Sequence, residues 1–286
     1  PQLHNGLGSA LLWQAEQRWE DGGDPEPVLI ASQQSYEQAR AAAPGQAFAY
    51  NNLGELWALR ATIQLARREA PGPSVRAALE AYRKALELLP DDAALWASVA
   101  RVNGVSASWV LEQGGDPRKE LAQAEEALAR AHELNPLLGS AWLYLGEARG
   151  TRARWRVRGN TARNEDFEEA AKALQQAVEL QPQRLGYRLA AGNLQREWAA
   201  FKQRQGEDPA PMLKRGLELA EHVLSARPGW ARARLLRASV LLALAEDRAS
   251  TEQQRQAWRK QAEEDVEQAL RANPRLAPAW KARTVP

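Results

Sequence analysis

Residue types able to do bond-making chemistry are sparse in this sequence. It has no cysteine, which removes disulfides, thiolate metal sites and a cysteine nucleophile. Its three histidines, His4, His132 and His222, are scattered and form no His-Glu-x-x-His pattern. Gly-x-Ser-x-Gly and Asp-rich calcium loops do not occur either. The sequence therefore predicts a non-enzymatic chain with no cofactor and no metal. What remains is charge. Lys and Arg number 38 and Asp and Glu 36, a net charge of +2. A nucleic-acid binder needs a basic excess, so that partner is not expected. One basic segment stands out, with Arg149, Arg152, Arg154, Arg156, Arg158 and Arg163 within fifteen residues. It reads either as a solvated helix end or as an anion site. In the second reading Arg149, Arg152 and Arg156 bind an acidic or phosphorylated segment in bidentate fashion.

Such side chains need elements to position them, and the elements announce themselves through a period. Prolines recur at Pro44, Pro90, Pro136, Pro182, Pro228 and Pro274, each 46 residues after the last. Small residues stand twelve before each: Ser32, Ala78, Ala124, Ala170, Gly216 and Ala262. Ala39, Ala85, Ala131, Ala177, Val223 and Ala269 stand five before. Tyr36, Tyr82, Leu128, Leu174, Ala220 and Val266 stand eight before. These offsets share one helix face. A second pattern follows each proline: Tyr50, Trp96 and Trp142 six residues on, a column in which His4 also falls. Gly54, Ala100, Gly146, Gly192 and Ala238 stand ten on. A column of Ala15, Ala61, Ala107, Ala153, Ala199 and Ala245 extends the buried stripe. It predicts first helices of about 22 residues, or roughly 33 Å. The joints are legible too. In Gly22-Gly23-Asp24-Pro25, Gly114-Gly115-Asp116-Pro117 and Gly206-Glu207-Asp208-Pro209, Gly ends one helix, Asp caps the next and Pro opens it.

The stretches Trp142-Leu143-Tyr144-Leu145-Gly146 and Tyr82 to Pro90, with Ala85 between, resemble the tetratricopeptide (TPR) repeat. The resemblance covers the whole chain, although each unit is twelve residues longer than the usual 34. It implies an all-α, right-handed superhelical solenoid of antiparallel helix pairs. The single domain 1–286 then holds units 1–43, 44–89, 90–135, 136–181, 182–227 and 228–273, with a partial capping helix over 274–286. The unit length and the Gly-x-Asp-Pro loops resemble arrays C-terminal to the kinase domain of bacterial serine/threonine protein kinases. The start at Pro1, with no signal-peptide pattern, reads as a piece of a longer cytoplasmic protein. A mean hydropathy of −0.56 and the lack of an 18-residue apolar run argue against membrane insertion.

The resemblance also implies a concave groove walled by the first helices. Helical spacing then places Asn51, Glu55, Arg101, Tyr144, Glu147, Asn193 and Arg196 on or beside the strip facing it. Gaps at Ala58, Gly104 and Gly150 would admit a partner's side chains or a close backbone. The expected function is recognition of a protein or peptide segment. Self-association is the alternative, and a nucleic-acid-binding helical repeat a remote one.

Overall fold

The computed structural model describes residues 1–247 and 250–284; Val285 and Pro286, the end of the expected capping segment, lie outside the described residues. Six hairpins follow one another: α1 (Gln2–Glu20) with α2 (Glu26–Ala42), α3 (Ala47–Ala66) with α4 (Gly72–Leu88), α5 (Ala93–Glu112) with α6 (Arg118–Leu134). Then come α7 (Gly139–Arg158) with α8 (Asn164–Leu180), α9 (Leu185–Arg204) with α10 (Ala210–Ala226), and α11 (Ala231–Glu246) with α12 (Glu252–Ala272). A 3-10 turn, Pro274–Leu276, leads into α13 (Ala277–Thr284). No strand occurs among the described residues. The fold is a right-handed α-solenoid of antiparallel helix pairs.

The repeat columns explain the packing. All six residues of the Ala15 column are at most 2% exposed, so long helices touch there backbone to backbone. The glycines of the column ten after each proline make close seats: Gly146 for Leu174 of the second helix, Gly192 for Leu236 of α11, and Gly8 and Gly54 for tyrosines of the second helix. A Cβ on Gly54 would lie 2.5 Å from the Tyr82 ring, and one on Gly8 2.5 Å from the Tyr36 ring. Where the second helix offers Leu128 or Val266 instead, Ala100 and Ala238 fit. After Pro44, Pro90, Pro136 and Pro182 the residue six further on is a staple. Tyr50 Oη donates to the Pro44 carbonyl at 3.0 Å, and the indoles of Trp96 and Trp142 donate to those of Pro90 and Pro136, both at 2.8 Å. Arg188 does the same to Pro182. His4, in this column, is exposed.

First helices are shorter than expected: α3, α5, α7 and α9 each span 20 residues. These four and α1 each stop where one residue turns left-handed: Gly22, Arg68, Gly114, Asn160 and Gly206 share one column at φ 78, 62, 82, 54 and 74°. The next N–H then reaches back five residues, as Gly115 does to Val110 at 2.8 Å and Glu69 to Gln64 at 2.8 Å. Asp24, Asp116 and Asp208 accept from the amides two residues on, as the Asp-Pro spacing predicts. The sixth hairpin differs. Helix α11 has 16 residues and α12 has 21, so the turn shifts by about one helical turn.

The array makes one complete turn and its ends touch. Adjacent first helices pair about one unit apart, as in Asn52 with Asn5 and Arg101 with Glu55. Against α11, instead, the last turn of α1 meets the first turn of α11. Trp230 Nε1 donates to Glu20 at 2.5 Å and Arg232 to Glu20 at 3.1 Å. Relative to the regular register this is a slip of roughly 18 residues, or ~27 Å at the helical rise. That slip nearly equals the length of a first helix, so the turn lands on its own beginning. Asn273, 1% exposed, donates to the Trp19 carbonyl at 2.7 Å, and Arg275 to that of Gly22 at 3.2 Å. Ala15, Trp19, Ala231, Leu235, Ala269 and Leu276 share one apolar cluster across the seam.

Candidate partner-binding surface

Helices α3, α5 and α7 bring Glu55, Arg101, Tyr144 and Glu147 to neighbouring places on the inner wall. Glu55 accepts from Tyr82 Oη at 2.6 Å, Ser98 Oγ at 2.8 Å and Arg101 at 2.7 Å. Burial opposes the charge on Glu55, but Arg101 and these three donors outweigh it and hold its pKa below the ordinary 4.5. Burial raises Tyr82 well above the usual tyrosine value. The Arg101 guanidinium lies 6.0 Å from the centre of the Tyr144 ring, and burial pushes the Tyr144 hydroxyl up to about 12.

Glu147 is different. Its side chain makes no ion pair or hydrogen bond among the described residues, and it is exposed. Yet surrounding protein thins its water enough to raise its pKa, against the pull of Arg232, Arg154 and Arg101. The same holds for Glu16 of α1, raised by burial and by Glu20 against Arg101, Arg184 and Arg232. Carboxylates and guanidiniums from α1, α5, α7 and α11 thus share one electrostatic space inside the turn. Sequence reasoning missed Glu16, Glu20 and Arg232, because only the contact between first and last units brings them here. The oversized Trp19, in a column that holds Leu65, Leu111, Val157 and Gln203 in the next four units, was the available signal.

Other expected members of the strip are less free. Asn193 donates to the Leu189 carbonyl of its own helix at 2.9 Å, and Asn51 to the neighbouring Asn52 at 3.4 Å. Arg196 is half-buried with its Nε unpartnered. Of the three expected gaps only Gly104 has open space around it. Ala58 is 1% exposed, and a Cβ on Gly150 would already touch Leu194 at 3.4 Å. These two positions are seats for neighbouring helices, because first helices this long contact one another along most of their length.

The arginine segment does not converge on one point. Arg149 faces Glu169 at 4.0 Å, Arg152 pairs with Glu125 and Arg156 with Asp166. Arg154 meets Glu197 at 3.5 Å, and Arg158 donates to the Leu111 carbonyl at 2.9 Å. Successive residues on a helix point about 100° apart, so these cations tie α7 to four different neighbours. Among the described residues no group of three or more His, Asp or Glu could hold a metal ion, and no helix is long and apolar enough to cross a membrane.

No protein-family model matches the chain, and no curated protein matches it. Solved structures do. TTC0263, a thermophilic TPR protein in Thermus thermophilus, is 20% identical, with 82% of this chain and 99% of that chain covered and a TM-score of 0.55. YrrB, described as a TPR protein with an unusual peptide-binding site, is 19% identical over 87% of this chain and 99% of that one, at a TM-score of 0.40. PilF of Pseudomonas aeruginosa is 16% identical over 98% and 99%, at 0.45. The match to TTC0263 establishes the class by fold: this is a TPR-type helical repeat array, here with units of 46 residues.

Proposed function

We propose that the chain is a non-catalytic scaffold that binds a segment of a partner protein on its inner wall. The observation that carries this is Glu147, an open carboxylate with no ion pair among the described residues, set beside Arg101 and Tyr144. A Lys or Arg of an extended partner segment would complete its pairing, while Tyr144 offers a flat apolar face. Asn51, Asn193 and Arg196 flank the path; each asparagine keeps its carbonyl oxygen for a partner's backbone N–H. The anion site at Arg149, Arg152 and Arg156 is no part of this proposal, since each already meets a carboxylate. The finer setting rests on the 46-residue unit and its Gly-x-Asp-Pro loops: a partner-recruiting module of a bacterial, cytoplasmic serine/threonine kinase polypeptide, with no nucleic-acid role.

The test places a photo-crosslinking amino acid at Leu143, on the inner wall, and another at Glu168, exposed on α8. Adducts formed in cells at position 143 and lost with Glu147→Lys are the expected result. Adducts confined to position 168, or unchanged by Glu147→Lys in a folded protein, would move the binding surface elsewhere.

A further inference from the structure

The seam that closes the turn has two halves, and each half recurs, vacant, elsewhere in the same chain. One half is the loop at Gly22. A Cβ there would lie 2.7 Å from the Ala272 carbonyl oxygen and 2.9 Å from Asn273 Cα, so the loop is seated against α12. Its counterpart four units on, Gly206, has the same left-handed backbone and nothing within 4 Å. The carbonyls of Trp19 and Glu20 accept from Asn273 Nδ2 at 2.7 and 3.4 Å. Their counterparts, those of Gln203 and Arg204, accept no side-chain donor among the described residues.

The other half is Asn273. Its Oδ1 accepts from the Arg275 amide at 3.2 Å, which leaves Nδ2 to cross the seam. Three units earlier Asn135 makes the same turn, with Oδ1 accepting from the Leu137 amide at 3.0 Å. Its Nδ2 has no partner among the described residues, and Asn135 is exposed. It lines a cleft that runs between residues 89–94 and 134–138. Leu89 and Leu137 are 48% and 71% exposed at this edge. Asp91 and Glu133 share the single Arg130 there, which leaves the rim acidic. Beside the Gly206 loop Arg204 offers the opposite charge, because it is exposed and makes no ion pair with a described residue; of the loop's two carboxylates, Glu207 is paired with Lys202 at 2.6 Å and Asp208 caps α10.

We infer that a second copy of this chain docks its Gly206 loop into the Asn135 cleft, repeating between molecules the contact that closes the turn within one. Asn135 Nδ2 then donates to the Gln203 and Arg204 carbonyls, Leu89 and Leu137 lose their water, and Arg204 meets Asp91. The loop and the cleft lie on opposite edges of the turn. The contact is therefore heterologous and adds copies in a row rather than stopping at a pair.

Sedimentation of the full chain across a concentration series tests this. The expected result is a mass that climbs beyond two chains. Leu137→Glu blocks the cleft and Arg204→Glu opposes the loop; each alone should weaken association about tenfold or more. Mixed one to one, the first supplies a free loop and the second a free cleft, so the mixture should reach the mass of two chains and stop. Unchanged helicity by circular dichroism controls for folding, and Leu89→Glu serves as the cleft variant if Leu137→Glu loses helix. A single-chain mass at every concentration, association of either variant like the parent, or a mixture that stays at one chain each overturns the inference.

Discussion

Two carboxylates in one residue column of the inner wall, two units apart, have opposite relations to pH. Glu55 is ionised below the ordinary range because Arg101, Tyr82 and Ser98 all favour its charge once it is buried. A depressed folded pKa contributes stability that is complete above the unfolded value of about 4.5 and is lost as pH falls through the folded one. Glu55→Gln should therefore cost about 1–3 kcal/mol at neutral pH, since it leaves Arg101 half-buried and unpaired. The gap between variant and parent should close in acid. Glu147 has the reverse sign. Its raised pKa means that ionisation works against folding, so Glu147→Gln should stabilise at neutral pH and make no difference in acid. Urea unfolding of both variants from neutral to acid pH reads the two slopes; parallel slopes would contradict this account of the wall.

At the scale of the helix pair, the sixth hairpin departs from the other five in its core. In earlier units the columns of Arg237 and Asp265 hold Leu53 with Ala81, Val99 with Ala127, Leu145 with Ala173 and Ala191 with Leu219. In the sixth, Asp265 is fully buried and receives Arg237 at 2.6 and 2.7 Å and Arg234 at 2.9 Å. Asp265→Ala alone strands two arginines and should cost about 3–5 kcal/mol. Arg237→Leu with Asp265→Ala restores the pairing of the fourth unit, Leu145 with Ala173, but leaves Arg234 without its carboxylate, so it should recover part of that loss, read as the melting midpoint. This irregular hairpin also marks the limit of what periodicity conveys. The alanine, tyrosine and glycine columns gave burial correctly because they record contacts repeated six times. The Gly-x-Asp-Pro loops gave their caps because that chemistry is local. Arg68 and Asn160 hid two of the left-handed joints, since neither residue advertises a positive φ as glycine does. The gaps at Ala58 and Gly150 were misread because a small residue facing a groove and one seating a neighbouring helix look alike in a column. The Asp265 pair was invisible because it breaks the column it sits in.

At the scale of the whole molecule, the closed turn follows from a match between two lengths that no single unit contains. Six units bring the path round, and the axial slip of ~27 Å nearly equals a 20-residue helix, so the end of α1 reaches the start of α11. The consequence is testable by changing the number of units and nothing else. Deleting residues 90–135 joins Leu89 to Pro136, a junction of the native type, so the five-unit chain should stay helical and its hairpins should stack as before. It should nonetheless lose the seam, because five units carry the path only part of the way round. Trp19, Glu20, Asn273 and Arg275 then lose the contacts that cross it. Hydrogen exchange reads this directly. Amides over 15–23 and 269–276 should exchange much faster in the deletion variant than in the parent, while those of α7 and α8 keep their protection. Deleting 34 residues from the same start should instead disrupt α7 and α8, because it breaks the 46-residue register. Protection of 15–23 that survives the five-unit deletion would mean that α1 is held by its own hairpin alone, and the seam would then contribute nothing to its order.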